Sequence, residues 1–330
     1  MDSTADSPAP FASHVLDGDA VETHDPAPLA ATRPAPTPTG DRKRVFADLR
    51  ANMIPALVAA GLFVALYSRP MRLLGWDWWN NPEAGHGLLL APLALWLVWR
   101  SGVRLDARPN VKLGLLIIFG AVLIRYMSGL AAELYTMKMS MVMALAGFTV
   151  FAYGFRQLVA WWLPFTVLWL SVPLPELVTS TLALPLQFKA SEMGASLLAW
   201  REIPVRLNGN VILLPGGHQL FVAEACSGLR SLTALLSLGV LLGGMTLGSA
   251  PGRLLLVLAA IPIAILINGI RVFLTGFLVF FVSPELGEGF MHTTEGWLMF
   301  LIAFLMLGGV AWVVGHIEGL FTRWRTPADA

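Results

Sequence analysis

Eight apolar stretches follow one another between Pro55 and Gly315, and they constrain the fold more than any other feature of the chain. They run from about Pro55 to Tyr67, His86 to Arg100, Leu113 to Gly129, Met139 to Tyr153, Leu158 to Val172, Cys226 to Leu247, Leu254 to Phe277 and His292 to Gly315. Set against the roughly 20 residues a helix needs to cross a bilayer, they predict about eight transmembrane helices. The first is expected to start before Ile54, and it lies too far into the chain to be a cleaved leader. Composition supports this reading: 56% of the residues are hydrophobic and 13% charged, with a mean hydropathy of +0.68. An ordinary soluble domain carries about a quarter charged residues.

The expected fold class is therefore an all-α polytopic membrane protein. Residues 1–45 stand apart, rich in Pro, Ala, Asp and Thr without apolar periodicity, and predict a disordered cytoplasmic tail. They hold seven acids and four bases, whereas the remaining residues hold 18 bases and 14 acids. Neither balance points to nucleic-acid binding.

Basic residues orient the helices. With the amino terminus inside, every inner segment is basic: Arg42 to Arg50, then Arg100, Arg104, Arg108 and Lys112, then Arg156, Arg253, and finally Arg323 and Arg325. The outer segments are mixed or acidic, with Asp77 and Glu83 beside Arg69 and Arg72, Glu133 beside Lys138, and Glu285 with Glu288. Trp76, Trp78 and Trp79 are expected in the first outer loop as interfacial anchors. Arg125 is expected to snorkel or to pair with Glu133, since a charge inside the bilayer costs roughly 2.5–3.5 kcal/mol.

The longest segment between spans, Glu176 to Glu224, falls outside the cytoplasm in this topology. Its first half mixes apolar positions with Gln187, Lys189 and Glu192, and Pro185 is expected to break any helix, so an interfacial or re-entrant element is predicted. Its second half has two alternating runs around Asn208-Gly209, then Pro215-Gly-Gly217 and His218 to Val222. This predicts a short extracytoplasmic β-hairpin or meander before the sixth span.

That meander leads into AEACSGLRSL, Ala223 to Leu232, which holds the only cysteine of the chain. One Cys forms no intramolecular disulfide; it is either a small buried apolar residue or a reactive thiol. Arg230 follows it at i+4, on the same helical side. In the predicted topology Cys226 starts the sixth span at its outer end, Asn268 and Arg271 lie near the outer end of the seventh, and His292 and Glu295 open the eighth on the outer side. A thiol, a guanidinium and an imidazole thus reach one depth.

Each type has a chemical use there. A neighbouring cation lowers a thiol pKa by stabilising the thiolate. His292 is placed to take the thiol proton and return it to a leaving amine, with His86 and His218 as other outer-face candidates for the base. Arg271, or Arg230, is suited to an oxyanion, and Asn268 to orienting either partner. Glu224 is read as a supporting residue or as a marker of the water boundary. No metal or cofactor is expected, because HExxH, paired-Cys and nucleotide-loop patterns are missing from the sequence.

The blocks VAEACSGLRSL, NGIRV and HTTEGW, in this order at the ends of consecutive apolar stretches, resemble the signature of the exosortases. GNVILLPGG and HGLLLAPLALWLVW extend the resemblance over residues 46–330, which it marks as an exosortase-like transmembrane domain. The resemblance implies a cysteine transpeptidase of the bacterial inner membrane with Cys226, Arg271 and His292 as catalytic residues facing the periplasm. It also implies substrates that are exported proteins with a C-terminal PEP-CTERM-type sorting tail: a Pro-Glu-Pro-type motif, one membrane helix and a basic cluster. Cleavage would pass through a thioester resolved by an acceptor nucleophile of unknown identity. Beside this stand a transporter whose Arg125, Arg230, Asn268 and Arg271 line a polar path, and a non-catalytic scaffold of an envelope polysaccharide system.

Overall fold

The computed structural model describes residues 53–81, 83–222, 229–282 and 289–325, and the tail 1–45 lies outside them. Ten α-helices and one small sheet make up these residues. Five of the helices are long and apolar enough to cross a membrane: α1 (Met53–Asn80), α3 (Val111–Leu130), α4 (Leu134–Tyr153), α9 (Ala250–Phe281) and, over Trp297–Phe321, α10 (Gly289–Arg325). Shorter apolar helices, α2 (Gly87–Ser101) and α8 (Leu229–Thr246), occupy two more of the expected spans. The chain is a multi-pass membrane protein.

Helix α1 runs through Pro70 and takes in the whole tryptophan cluster, so Trp76, Trp78 and Trp79 belong to a helix end and not to a loop. Their roles divide. Trp76 and Trp79 are exposed, as anchors would be. Trp78 turns inward and its Nε1 donates to the Ser171 carbonyl at 2.7 Å. A Cβ at Gly87 would stand 2.1 Å from that nitrogen, so glycine at the start of α2 makes room for the indole.

The α3–α4 pair is a tight hairpin. A Cβ at Gly114 would lie 2.5 Å from the Phe151 backbone, and one at Gly147 2.8 Å from Ile118. Close approach through small residues is how membrane helices gain packing when lipid offers no hydrophobic drive. Glu133 caps α4 with both carboxylate oxygens, accepting from Tyr135 N at 3.0 Å and Thr136 N at 2.6 Å. Among the described residues it forms no ion pair with Arg125, which is one of the two placements expected for that arginine, and its carboxylate caps the helix. Lys138 pairs instead with Asp77 of α1.

The expected fifth span is two short helices, α5 (Phe155–Ala160) and α6 (Trp162–Leu170). They part at Trp161 because two side chains serve the loop after α2. Gln157 Oε1 accepts from Arg104 N at 2.9 Å, and Gln157 Nε2 and Trp161 Nε1 donate to the Gly102 carbonyl at 3.3 and 3.0 Å.

Helix α7 (Glu176–Trp200) is continuous for 25 residues through Pro185, against the expected break. Proline removes one backbone donor, but tertiary packing holds the helix. Its small residues face α9: a Cβ at Gly194 would come within 2.4 Å of Val272, and one at Gly269 of α9 within 2.6 Å of Met193.

The predicted meander forms, with β1 (Arg206–Asn208), β2 (Val211–Leu213) and β3 (Gln219–Phe221) in antiparallel order. Asn208 pairs with Val211, leaving a two-residue turn in which Gly209 takes φ +62°. The sheet rests on α7 and α9 through Ile212, Leu214, Val222, Leu198 and Val272.

Candidate functional site

Four segments carry the residues singled out by the sequence. Cys226 and Glu224 lie in 223–228, outside the described residues. His292 and Glu295 stand in the first two turns of α10, with side chains outside the described set. Arg230, Asn268 and Arg271 are described.

Asn268 is 5% exposed and Arg271 half-buried, both on α9 and three residues apart, so they share one side of that helix. The Arg271 carbonyl accepts from Thr275 Oγ1 at 3.0 Å. Arg230 is exposed in the first turn of α8, and its carbonyl accepts from Thr233 Oγ1 at 3.1 Å.

The register between α8 and α9 sets their relative depth. A Cβ at Gly243 would meet Arg253 Cα at 3.5 Å, and one at Gly239 would meet Val257 Cα at 3.4 Å. Four residues back along α8 thus match four forward along α9. One core holds Leu232 of α8 with Ala264 and Ile267 of α9. On that register Leu229, where α8 begins, is level with Ile267, within about one turn of Asn268 and Arg271.

Helix α10 runs antiparallel to α9. Near its end Glu318 accepts from Gly248 N at 2.9 Å and Ser249 N at 3.3 Å, closing the α8–α9 turn. Toward its start Met299 joins the core of Leu232 and Ile267. His292 precedes Met299 by seven residues, two turns or about 10 Å along the axis and on the same face. The beginnings of α8 and α10 and the Asn268–Arg271 turn of α9 therefore lie toward one end of the bundle.

A polar clamp not anticipated from the sequence leads into this end. Asn210 Nδ2 donates to Gln187 Oε1 and to the Val222 carbonyl, each at 3.2 Å, and Val222 N donates back to the Asn210 carbonyl at 2.9 Å. Val222, fully buried beside Val272, is thus fixed four residues before Cys226. The only sequence signal was Asn210 directly after the hairpin dipeptide.

Two cavities differ in character. One of about 790 Å³ is lined mainly by apolar side chains near Pro55, Ala107 and Tyr153, at the far end of the bundle. The other, about 530 Å³, is lined by apolar side chains together with Glu83, His86 and Glu176 and reaches Thr233 and Ser237 of α8. His86 Nε2 lies 3.3 Å from the Leu170 carbonyl. His218 is exposed on the meander. Among the described residues no three of His, Cys, Asp and Glu gather as a metal-binding group.

A family model described as transmembrane exosortase matches residues 78–309. The chain belongs to the transmembrane exosortases. The exosortase match begins in the last turns of α1, spans α2 to α9 with the meander, and ends inside α10, so it contains every residue discussed above as a candidate for the site. No curated protein and no solved structure matched the chain.

Proposed function

We propose that this exosortase is a membrane-embedded cysteine peptidase and transpeptidase that removes the PEP-CTERM-type C-terminal sorting signal of exported proteins. Cys226 is the nucleophile, Arg271 stabilises its thiolate and the oxyanion, and His292 moves the proton. Arg230, Asn268, Glu224 and Glu295 support them by charge and orientation. The reading includes eight spans in the bacterial inner membrane with the site on the periplasmic face, where a substrate anchored by its own helix presents its scissile bond.

The reaction runs in two halves. The Cys226 sulfur attacks the peptide carbonyl carbon, the oxyanion collapses, and the C–N bond breaks as His292 protonates the departing amine. The acyl group remains on sulfur as a thioester until an acceptor nucleophile attacks the same carbon and the thiolate leaves. One donor on a forming oxyanion is worth about 2.7–4 kcal/mol, which makes Arg271 more than a positioning group.

One observation supports this reading above the others: the helix register that brings the start of α8 level with Asn268 and Arg271. A chain continuing back from Leu229 has only three residues to reach Cys226, at most about 11 Å. The test is co-expression with a tail-bearing substrate and mass measurement of its C-terminus. Wild type yields the shortened product, and C226A leaves the substrate at precursor mass. Shortened product at the wild-type rate with C226A would remove Cys226 as the nucleophile and with it the cysteine-peptidase reading.

A further inference from the structure

The larger cavity, about 790 Å³, is a gap between α1, α2, α4 and α6, where α1 and α3 begin and α2 and α4 end. Helix α1 meets α4 from Phe63 onward. The Phe63 and Phe148 rings meet edge to face at 6.1 Å, and the Tyr67 hydroxyl donates to the Ser140 carbonyl at 3.2 Å. Before Phe63 no described residue of α1 is buried, so the two helices part and leave space between them. Small side chains widen it, with Ala56 and Ala59 on α1, Ala91 and Ala94 on α2, and Ala152 on α4.

The walls give water little to bind. The Thr149 hydroxyl donates to the Leu145 carbonyl and Trp161 Nε1 to the Gly102 carbonyl, each at 3.0 Å. An apolar cavity whose polar atoms already have partners stays dry. Left empty, a space of this size forfeits dispersion contacts on every wall. An apolar occupant supplies them.

The rim narrows the choice of occupant. Arg108 lies between two lining residues, Ala107 and Pro109, and Lys112 directly follows a third, Val111. Both basic residues are exposed. Their segment is held against the end of α4: Asn110 N donates to the Val150 carbonyl at 3.1 Å, and Gly154, at φ +83°, admits the Arg108 carbonyl where a Cβ would clash. Arg100 stands in the last turn of α2, and Arg104 and Arg156 share Asp106 at 2.8 and 3.6 Å. Asp106 is the only acid between Arg100 and Lys112, so positive charge is in excess. Among the described residues neither Arg108 nor Lys112 forms an ion pair.

We propose that one phospholipid chain fills this cavity and that its anionic headgroup is held by Arg108 and Lys112. Basic residues at the mouth of a gap between membrane helices suit an anionic headgroup, with the chain inside and the phosphate at the rim. The lipid packs the first turns of α1 against α4, a contact that protein side chains leave unmade. A zwitterionic lipid brings an ammonium of its own to the same rim and is held less well.

The test is native mass spectrometry of the full chain in detergent with dioleoyl phosphatidylglycerol or dioleoyl phosphatidylcholine, which carry the same chains. The expected result is one retained phosphatidylglycerol per chain, favoured over phosphatidylcholine by about tenfold, and R108Q/K112Q should abolish that preference. A59F fills the cavity and should lower retention of both lipids; the exposed A152F does the same should A59F not accumulate. Excess inorganic phosphate should leave the lipid in place, because the chain is the larger part of the contact. Equal retention of the two lipids by wild type, unchanged phosphatidylglycerol binding in R108Q/K112Q or in the phenylalanine variant, or release by phosphate overturns the proposal. The peptidase reading stands under each of these outcomes.

Discussion

The two helical hairpins α3–α4 and α8–α9 use the same device to different ends. In the first, Gly114 and Gly147 bring backbones so close that a Cβ would fall 2.5–2.8 Å from its neighbours, and Glu133 closes the turn. In the second, Gly239 and Gly243 leave ordinary contact distances of 3.4–3.5 Å. Its turn is closed by Glu318, while the opposite end leads to Arg230, Asn268 and Arg271. The first hairpin is packed tightly enough to exclude any side chain at Gly114 and Gly147, whereas the second tolerates ordinary contact at Gly239 and Gly243.

The largest expected effect breaks the first hairpin. G114L forces a side chain into the Phe151 backbone, beyond the usual overpacking cost of about 1–3 kcal/mol, and the protein should fail to accumulate in the membrane on immunoblots. Next comes the polar end: R271Q should accumulate normally and lose about 100- to 1000-fold in substrate cleavage, the range for one oxyanion donor. R271K should restore only part of it, because a compact ammonium lacks the planar fork.

The clamp sharpens the comparison at an intermediate level. N210A leaves the buried Gln187 amide and Val222 carbonyl short of a donor, a cost of about 1–3 kcal/mol. Because Val222 positions the chain that leads to Cys226, kcat should fall about tenfold with KM for substrate little changed, whereas a purely structural role would lower protein amount and leave kcat per molecule intact. The smallest effect marks the α8–α9 contact. G243A meets only van der Waals contact and should change thermal stability by less than about 1 kcal/mol, against the failure of G114L.

Glu133 adds a pH dependence to the first hairpin. Burial raises its pKa, but hydrogen bonds from Thr136 and the Tyr135 backbone outweigh this and hold the carboxyl below its ordinary value. A lowered folded pKa contributes stability that is present above the ordinary carboxylate range and is lost as pH falls through the folded value. Melting curves below the ordinary carboxylate range should show this loss in wild type and its absence in E133Q.

Much of this architecture was legible in hydropathy, which depends on local composition. The helices at 111–130 and 134–153 and the meander around Asn208-Gly209 lie where apolar periodicity and turn residues place them. The misses have tertiary causes. Helix α7 continues through Pro185 because Ala183, Ala190 and Gly194 pack against α9, which no local signal reveals. The fifth stretch divides at Trp161 because Gln157 and Trp161 satisfy a loop some 50 residues away in sequence. The tryptophan cluster read as a loop since Arg69, Pro70 and Arg72 interrupt the apolar run, yet α1 carries on through them. At the candidate site the order of Cys226, Arg271 and His292 along the chain suggested one depth. The clamp and the cavity beside α8 were not legible, since Glu83, His86 and Glu176 meet only once the helices are packed.

The account stands or falls on Cys226, Arg271 and His292 meeting at one end of the bundle. With a single native thiol, the direct test is cross-linking in membranes: R271C and H292C, each beside native Cys226, treated with a short bifunctional thiol reagent and read by gel shift after cleavage at a site engineered between the paired positions. The account predicts a cross-link from both, and none from T246C at the other end of α8. Cross-linking from T246C, or from neither R271C nor H292C, would contradict it.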